Sequence, residues 1–179
     1  MKSVIEYSHA ILKEHLTSND IALDMTVGNG HDTLFLVQNV KFVYGFDIQK
    51  IACLNTKNRL ANYQNYQIIN DSHENFLNYV RETFKGVIFN LGYLPKGNKE
   101  ICTQVSTTLK TLDLVLKHLE TQGICVIVIY SGHQEGYQEA IELEEYLRQL
   151  DQKEYDVLKY QYINQINNPP YLVAIRRKK

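Results

Sequence analysis

Apolar positions along the chain follow two spacings. Val4, Ile5, Ile11, Leu12 and Leu16, with Ser8 among them, recur at helical intervals and predict a helix over residues 4–16. Short apolar runs then alternate with helical stretches. Strands are expected over 21–25, 41–46, 67–70, 87–91 and 124–130, and helices over 33–40, 48–61, 75–82, 99–119 and 137–150. In the long helix Val105, Leu109, Leu112, Leu116 and Leu119 keep the three-or-four spacing, and Gly123 reads as its stop signal. Residues 124–130 are apolar without interruption, as in a parallel strand covered by helices on both faces. Two late strands, 156–163 and 171–176, are separated only by 164–170, which is too short for a crossover helix. They are expected to form an antiparallel hairpin at one sheet edge.

Strand and helix alternate five times before that hairpin, which describes a doubly wound, Rossmann-like α/β sheet of seven strands, mostly parallel. The 179 residues suffice for one domain with a sizeable core, and no linker, repeat or low-complexity tract divides residues 1–179. Hydrophobic residues make up 44% and charged residues 22%, ordinary for a soluble globular protein. No apolar run reaches the length of a membrane span, and Met1–Glu6 lacks the apolar core of a signal peptide. Cys53, Cys102 and Cys125 are scattered, and the six histidines show no ligand spacing, so neither disulfides nor a metal is expected and a reducing, cytoplasmic setting is. A net charge of −1 gives no global attraction to nucleic acid. The one dense basic run, Arg176-Arg177-Lys178-Lys179, reads either as a phosphate-holding patch or as a solvated tail.

The chemistry concentrates where the strands end. Asp24-Met25-Thr26-Val27-Gly28-Asn29-Gly30-His31-Asp32-Thr33 places a glycine-rich turn between the first strand and the next helix. Gly28 and Gly30 are expected to take positive φ and to let a ligand approach the backbone. A helix N-terminus beyond the turn favours a carboxylate-bearing ligand. Asp47, about 20 positions downstream at the end of the second strand, stands where a ribose-binding carboxylate is expected in a nucleotide-binding βαβ unit. Its other reading is a cap for the next helix. Candidate cofactor ligands are therefore Asp24, Thr26, Gly28, Asn29, Gly30, His31, Asp32, Thr33, Asp47, Gln49, Asp71, Ser72, His73 and Asn90. Asp71 and Ser72 serve equally as ligands to an adenine or as caps of the following helix. After the fourth strand, Asn90-Leu91-Gly92-Tyr93 keeps the end positions of the Asn-Pro-Pro-Tyr motif of amino methyltransferases but replaces both prolines. In that motif the Asn side chain and a backbone carbonyl accept hydrogen bonds from the target amine, and the aromatic ring stacks on the base. Asn90, Tyr93, His133 and Asp32 are the catalytic candidates. Leu91, Gly92, Tyr93, Leu94, Pro95, His133, Asn164, Asn167, Pro169, Pro170 and Arg176 are the substrate-binding candidates.

Several of these segments together resemble one family. They are the glycine-rich turn, Phe46-Asp47-Ile48-Gln49, Asn90-Leu91-Gly92-Tyr93-Leu94-Pro95, Gly132-His133-Gln134-Glu135-Gly136 and Asn164-Gln165-Ile166-Asn167-Asn168-Pro169-Pro170. They are similar to the motifs of a bacterial family described as "putative rRNA methylase", over nearly the whole chain. The resemblance implies a seven-stranded class I methyltransferase sheet and S-adenosylmethionine as cofactor. It further implies that the methyl acceptor is the amine of 5-aminomethyl-2-thiouridine at the tRNA wobble position, with the tRNA anticodon region as partner. The alternatives are a ribosomal RNA or small-molecule methyltransferase with the same cofactor, and a non-catalytic nucleoside-binding module. An exposed apolar helix face would suggest a homodimer.

Overall fold

A computed structural model describes residues 1–91, 105–132 and 134–179. Seven strands form one sheet in the order β3-β2-β1-β4-β5-β7-β6: β1 (Ile21–Asp24), β2 (Phe42–Phe46), β3 (Tyr66–Ile69), β4 (Phe84–Leu91), β5 (Leu119–Ile129), β6 (Tyr155–Tyr160) and β7 (Tyr171–Arg177). The first five are parallel, and β7 runs antiparallel to both β5 and β6. The expected hairpin is present, with β6 on the sheet edge and β7 inserted beside β5. The helices are α1 (Val4–His15), α2 (His31–Val37), α3 (Lys50–Arg59), α4 (Val105–His118) and α5 (Gln134–Arg148). The segment expected as a helix over 75–82 is instead a 3₁₀ turn over His73–Asn78.

Two apolar clusters lie on opposite faces of the sheet. On one face α1, α2 and α3 pack over Ala22, Val43, Ile88, Val126 and Ala174. On the other, the 3₁₀ turn, α4 and α5 pack over Leu23, Phe46, Phe89, Ile127 and Val173. Alternate residues of a strand point to opposite faces, so β4 sends Ile88 to the α1–α3 side and Phe89 to the α4–α5 side. Helix α1 is held at its start by a reciprocal cap. Ser3 Oγ accepts the Glu6 N–H at 3.2 Å, and the Glu6 carboxylate accepts the Ser3 N–H at 2.8 Å.

One boundary differs for a physical reason. The long helix ends at His118, and β5 begins at Leu119 rather than beside Gly123. Leu119 pairs with Phe84 and Ile124 with Gly86, so residues 120–123 stand out of register. Gln122, not Gly123, takes the left-handed conformation there, at φ 62°.

Candidate active site

The site is built at the carboxyl ends of β1, β2 and β4. Asp24 closes β1 and is wholly buried. Its carboxylate accepts the Thr33 hydroxyl at 2.6 Å and the Thr26 N–H at 3.1 Å. Desolvation and then the neighbouring Asp32 charge hold the Asp24 carboxyl above its ordinary range. Asp24 and Thr33 therefore brace the turn from inside; their burial leaves them no surface to offer a cofactor, contrary to the expectation from sequence.

Gly28 (φ 50°) and Gly30 (φ 76°) both adopt the left-handed conformation expected of them. Helix α3 holds this turn from the side. Thr56 Oγ1 donates to the Gly28 carbonyl at 3.1 Å, Asn55 Nδ2 to Asn29 Oδ1 at 3.1 Å, and Arg59 Nε to the Asn29 carbonyl at 2.6 Å. A second Arg59 nitrogen lies 3.2 Å from His31 Nε2. A Cβ on Gly30 would stand 2.9 Å from Thr56 Oγ1. The bare backbone at Gly30 thus admits α3. Helix α2 starts on Gly30 with no side-chain cap, leaving its first backbone N–H groups without a side-chain acceptor.

Asp47 follows β2. Its carboxylate accepts the Gly28 N–H at 3.0 Å and the Gln49 N–H at 2.8 Å. Burial raises its carboxyl above the ordinary value, against the pull of those two donors. A carboxylate offers about four lone-pair directions, so two remain for a ligand on this half-buried group. Gln49 stands at the N-cap of α3 without a side-chain capping bond.

Beyond β3, Asp71 accepts hydrogen bonds from the Ser72 N–H, Asn75 Nδ2 and the Tyr79 hydroxyl, and Ser72 Oγ accepts the Glu74 N–H. Both are engaged in capping the 3₁₀ turn. His73 points away from the rim and into the core. It is 8% exposed, its Nδ1 lies 2.9 Å from Thr111 Oγ1, and its ring stands edge-on to Phe89. Sequence reasoning placed it at the cofactor because it follows a strand end; the tight turn rotates it inward. Burial pushes its pKa down to about 4. The fold therefore favours neutral His73, while an unfolded histidine titrates near 6.5. Below that pH the unfolded chain binds the extra proton, so stability falls as pH drops from about 6.5 towards 4, by up to about 3 kcal/mol. Urea midpoints of the wild type and His73→Gln across this range provide the check. The wild type is expected to lose more stability than the variant.

At the end of β4, the Asn90 N–H donates to Thr26 Oγ1 at 2.7 Å. Its side-chain Nδ2 donates to Asp32 Oδ2 at 3.1 Å. The other Asp32 oxygen lies 2.7 Å from His9 Nε2, on α1. Both oxygens of Asp32 are thus engaged, which makes it a support for Asn90. Neither His9 nor the α3 residues Asn55, Thr56 and Arg59 stood out in the sequence; each acts across more than twenty positions, where no local spacing reports the contact. Leu91 has its side chain buried.

Tyr130, just past β5, also belongs to this rim. Burial and the Asp32 charge raise the pKa of its hydroxyl. Tyr171 of β7 pairs with Ile129 of β5, so the 161–170 loop reaches the same rim. Asn164 and Asn167 are exposed there, and Pro169 and Pro170 half-buried. Asn167 (φ 65°) and Asn168 (φ 47°) are both left-handed. Arg176 pairs with Ile124 at the opposite end of β5 and binds Asp156. The antiparallel strand carries it away from the rim, so Arg176 is not at the site, contrary to the expectation of a substrate contact. Gly92, Tyr93, Leu94, Pro95 and His133 lie outside the described residues. Among the described residues no helix is long and apolar enough to cross a membrane.

The model of the family described as "Putative rRNA methylase" matches residues 43–176. The tRNA (mnm5s2U34)-methyltransferase, chloroplastic, of Arabidopsis thaliana is 30% identical over 99% of this chain and 70% of its own length. A "putative rRNA-methylase" structure from Clostridium thermocellum is 39% identical, with TM-score 0.97, covering 99% of this chain and 98% of that one. A "putative methyltransferase" from Streptococcus mutans, solved in complex with SAH, is 41% identical, with TM-score 0.93 and 99% of both chains covered. The geometry fits that cofactor: Asp47 has acceptor directions left for a ribose diol, and the left-handed glycine turn opens beside it onto the uncapped start of α2. The chain belongs to the "Putative rRNA methylase" family and is a methyltransferase that uses S-adenosylmethionine.

Proposed function

We infer that this enzyme methylates the amine of 5-aminomethyl-2-thiouridine at the wobble position of tRNA, giving 5-methylaminomethyl-2-thiouridine. The observation that carries this reading is the 30% identity, over 99% of the chain, to a tRNA (mnm5s2U34)-methyltransferase. The bound cofactor supplies a methyl group on a positively charged sulfur, already activated for displacement. The chain's own task is alignment. Asp47 is the ribose ligand and the 25–30 turn receives the amino-acid end. A carboxylate accepts only, so Asp32 holds the NH2 side of the Asn90 carboxamide and turns its Oδ1 towards the acceptor. Oδ1 and the Leu91 carbonyl accept the N–H bonds of the incoming amine. They orient its lone pair in the neutral form that attack requires. The cofactor, held by Asp47 and the 25–30 turn, would supply the methyl group and keep the C–S electron pair, and the proton of the methylated amine would pass to water. Asn164, Asn167, Pro169 and Pro170 contact the nucleoside from the 161–170 loop.

Methyl transfer from labelled S-adenosylmethionine tests the reading. Transfer RNA carrying the aminomethyl group is expected to be labelled; the same tRNA lacking it, and ribosomal RNA, are not. Equal incorporation into both tRNAs, or labelling of ribosomal RNA alone, would sink the substrate assignment.

A further inference from the structure

Helix α1 lies outside the strand-end motifs, yet it sends one side chain into them. His9 Nε2 is 2.7 Å from Asp32 Oδ1, and Asp32 Oδ2 is 3.1 Å from Asn90 Nδ2. The three side chains form a line from α1 through α2 to the end of β4. The His9 side chain is 24% exposed and that of Asp32 8%. The His9 ring stacks on Phe35 of α2, with centroids 4.1 Å apart and planes within 4°. His9 is therefore held twice, once by its ring face and once by its Nε2. Ser8, the neighbouring residue, is wholly buried, and its hydroxyl is satisfied within the helix by the Ile5 carbonyl at 2.8 Å.

We propose that His9 is a positioning residue for methyl transfer: through Asp32 it fixes the Asn90 carboxamide and so the direction of the acceptor amine. This rests on the reading that Asn90 binds that amine. A carboxylate held at one oxygen only can swing about its Cβ–Cγ bond. Anchored at Oδ1 by His9, Asp32 presents Oδ2 to Asn90 in one direction. Asn90 is fixed independently at its backbone by Thr26 Oγ1. The remaining freedom is the rotation of its carboxamide, which exchanges acceptor and donor. That is the freedom the His9–Asp32 pair removes. An amide turned the wrong way would present N–H to the amine and repel its hydrogens, so the effect falls on alignment rather than on cofactor binding.

Two substitutions separate the two holds on His9. His9→Phe keeps a ring to stack on Phe35 but removes the donor. His9→Gln loses the stack but retains an amide nitrogen near the position of Nε2. With tRNA bearing the aminomethyl group, His9→Phe is expected to lower kcat about 10-fold, with KM for tRNA and Kd for S-adenosylmethionine within about 2-fold of wild type. His9→Gln is expected to recover most of the loss. In Asn90→Ala the further change His9→Phe should cost nothing more, because the residue it positions is gone. A His9→Phe enzyme at full kcat, beside an Asn90→Ala enzyme that is crippled, overturns the proposal alone. So does a loss shared equally by S-adenosylmethionine binding and not rescued by Gln, which marks His9 as structural. A wild-type enzyme that leaves this tRNA unmethylated, or an Asn90→Ala enzyme at full rate, overturns the underlying reading and the proposal with it.

Discussion

Asn90→Ala is expected to lower kcat for methyl transfer on the order of 100- to 1,000-fold, the usual effect of deleting one preorganised polar group from a reacting centre. Alanine keeps the backbone N–H that binds Thr26 Oγ1, so β1 and β4 stay tied. It removes the carboxamide oxygen assigned to the amine. Asp32 loses one donor but keeps His9, so the cost in stability stays near 1–2 kcal/mol. Affinity for S-adenosylmethionine, which we assign mainly to Asp47 and the 25–30 turn, should change little. Single-turnover methylation, measured beside calorimetric cofactor binding, separates the two quantities. A variant within a few-fold of the wild-type rate would remove Asn90 from the reacting centre. Asn90→Asp is a poorer probe, because it would set a second carboxylate against Asp32.

The adjacent residue should behave oppositely. Phe89→Ala is expected to destabilise the fold by about 3–5 kcal/mol. Phe89 is completely buried on the α4–α5 face, edge-on to His73 at 5.8 Å. Its removal leaves a cavity between the centre of the sheet and the 3₁₀ turn, in a cluster that includes Phe46, Phe76 and Ile127. Domains of this kind have only about 5–15 kcal/mol of net stability, so much of the total is at stake. The urea midpoint should fall steeply, while any molecules still folded methylate at a near-normal rate. A loss below about 1 kcal/mol would mean that this face is not packed as described. One strand thus separates stability from catalysis in two successive residues, because they point to opposite faces.

Much of this arrangement was legible in the sequence, and what was not has definable causes. The doubly wound, mostly parallel sheet and its antiparallel last pair followed from the alternation of periodicities and the short 164–170 connection, whereas the strand order is set by tertiary pairing. The left-handed glycines and the position of Asp47 followed from a turn between strand and helix. Asn90 stood out because Asn90 and Tyr93 keep the end positions of an Asn-Pro-Pro-Tyr motif after the fourth strand. Burial was harder to read. Asp24 and Thr33 look like ligands because they are polar at a strand end, yet they satisfy one another inside the turn. His73 was misplaced because a 3₁₀ turn rotates its side chains differently from the α-helix expected over 75–82. The error at Arg176 is of another kind: an antiparallel last strand already implies that its far end lies on the opposite rim, so the expected topology contained the correction. His9 and Arg59 escaped detection because their partners lie in other elements, joined only by the tertiary fold.

The seating of α1 ties the first helix to the strand synthesised after all the others. Its contacts are chiefly with β5 and β7 rather than with the strands that follow it in the chain. Strand β7 must insert beside β5 to complete that seat, and the α1–β7 contacts join elements about 160 positions apart, the kind of long-range contact that slows folding. Until β7 is in place, the seat of α1 is incomplete and His9 lacks its full platform for reaching Asp32. The active-site line from α1 to Asn90 closes only once β7 is in place. An incompletely synthesised or misregistered chain would have the cofactor cradle without a properly oriented acceptor residue. Catalytic competence would then serve as a late marker of finished folding.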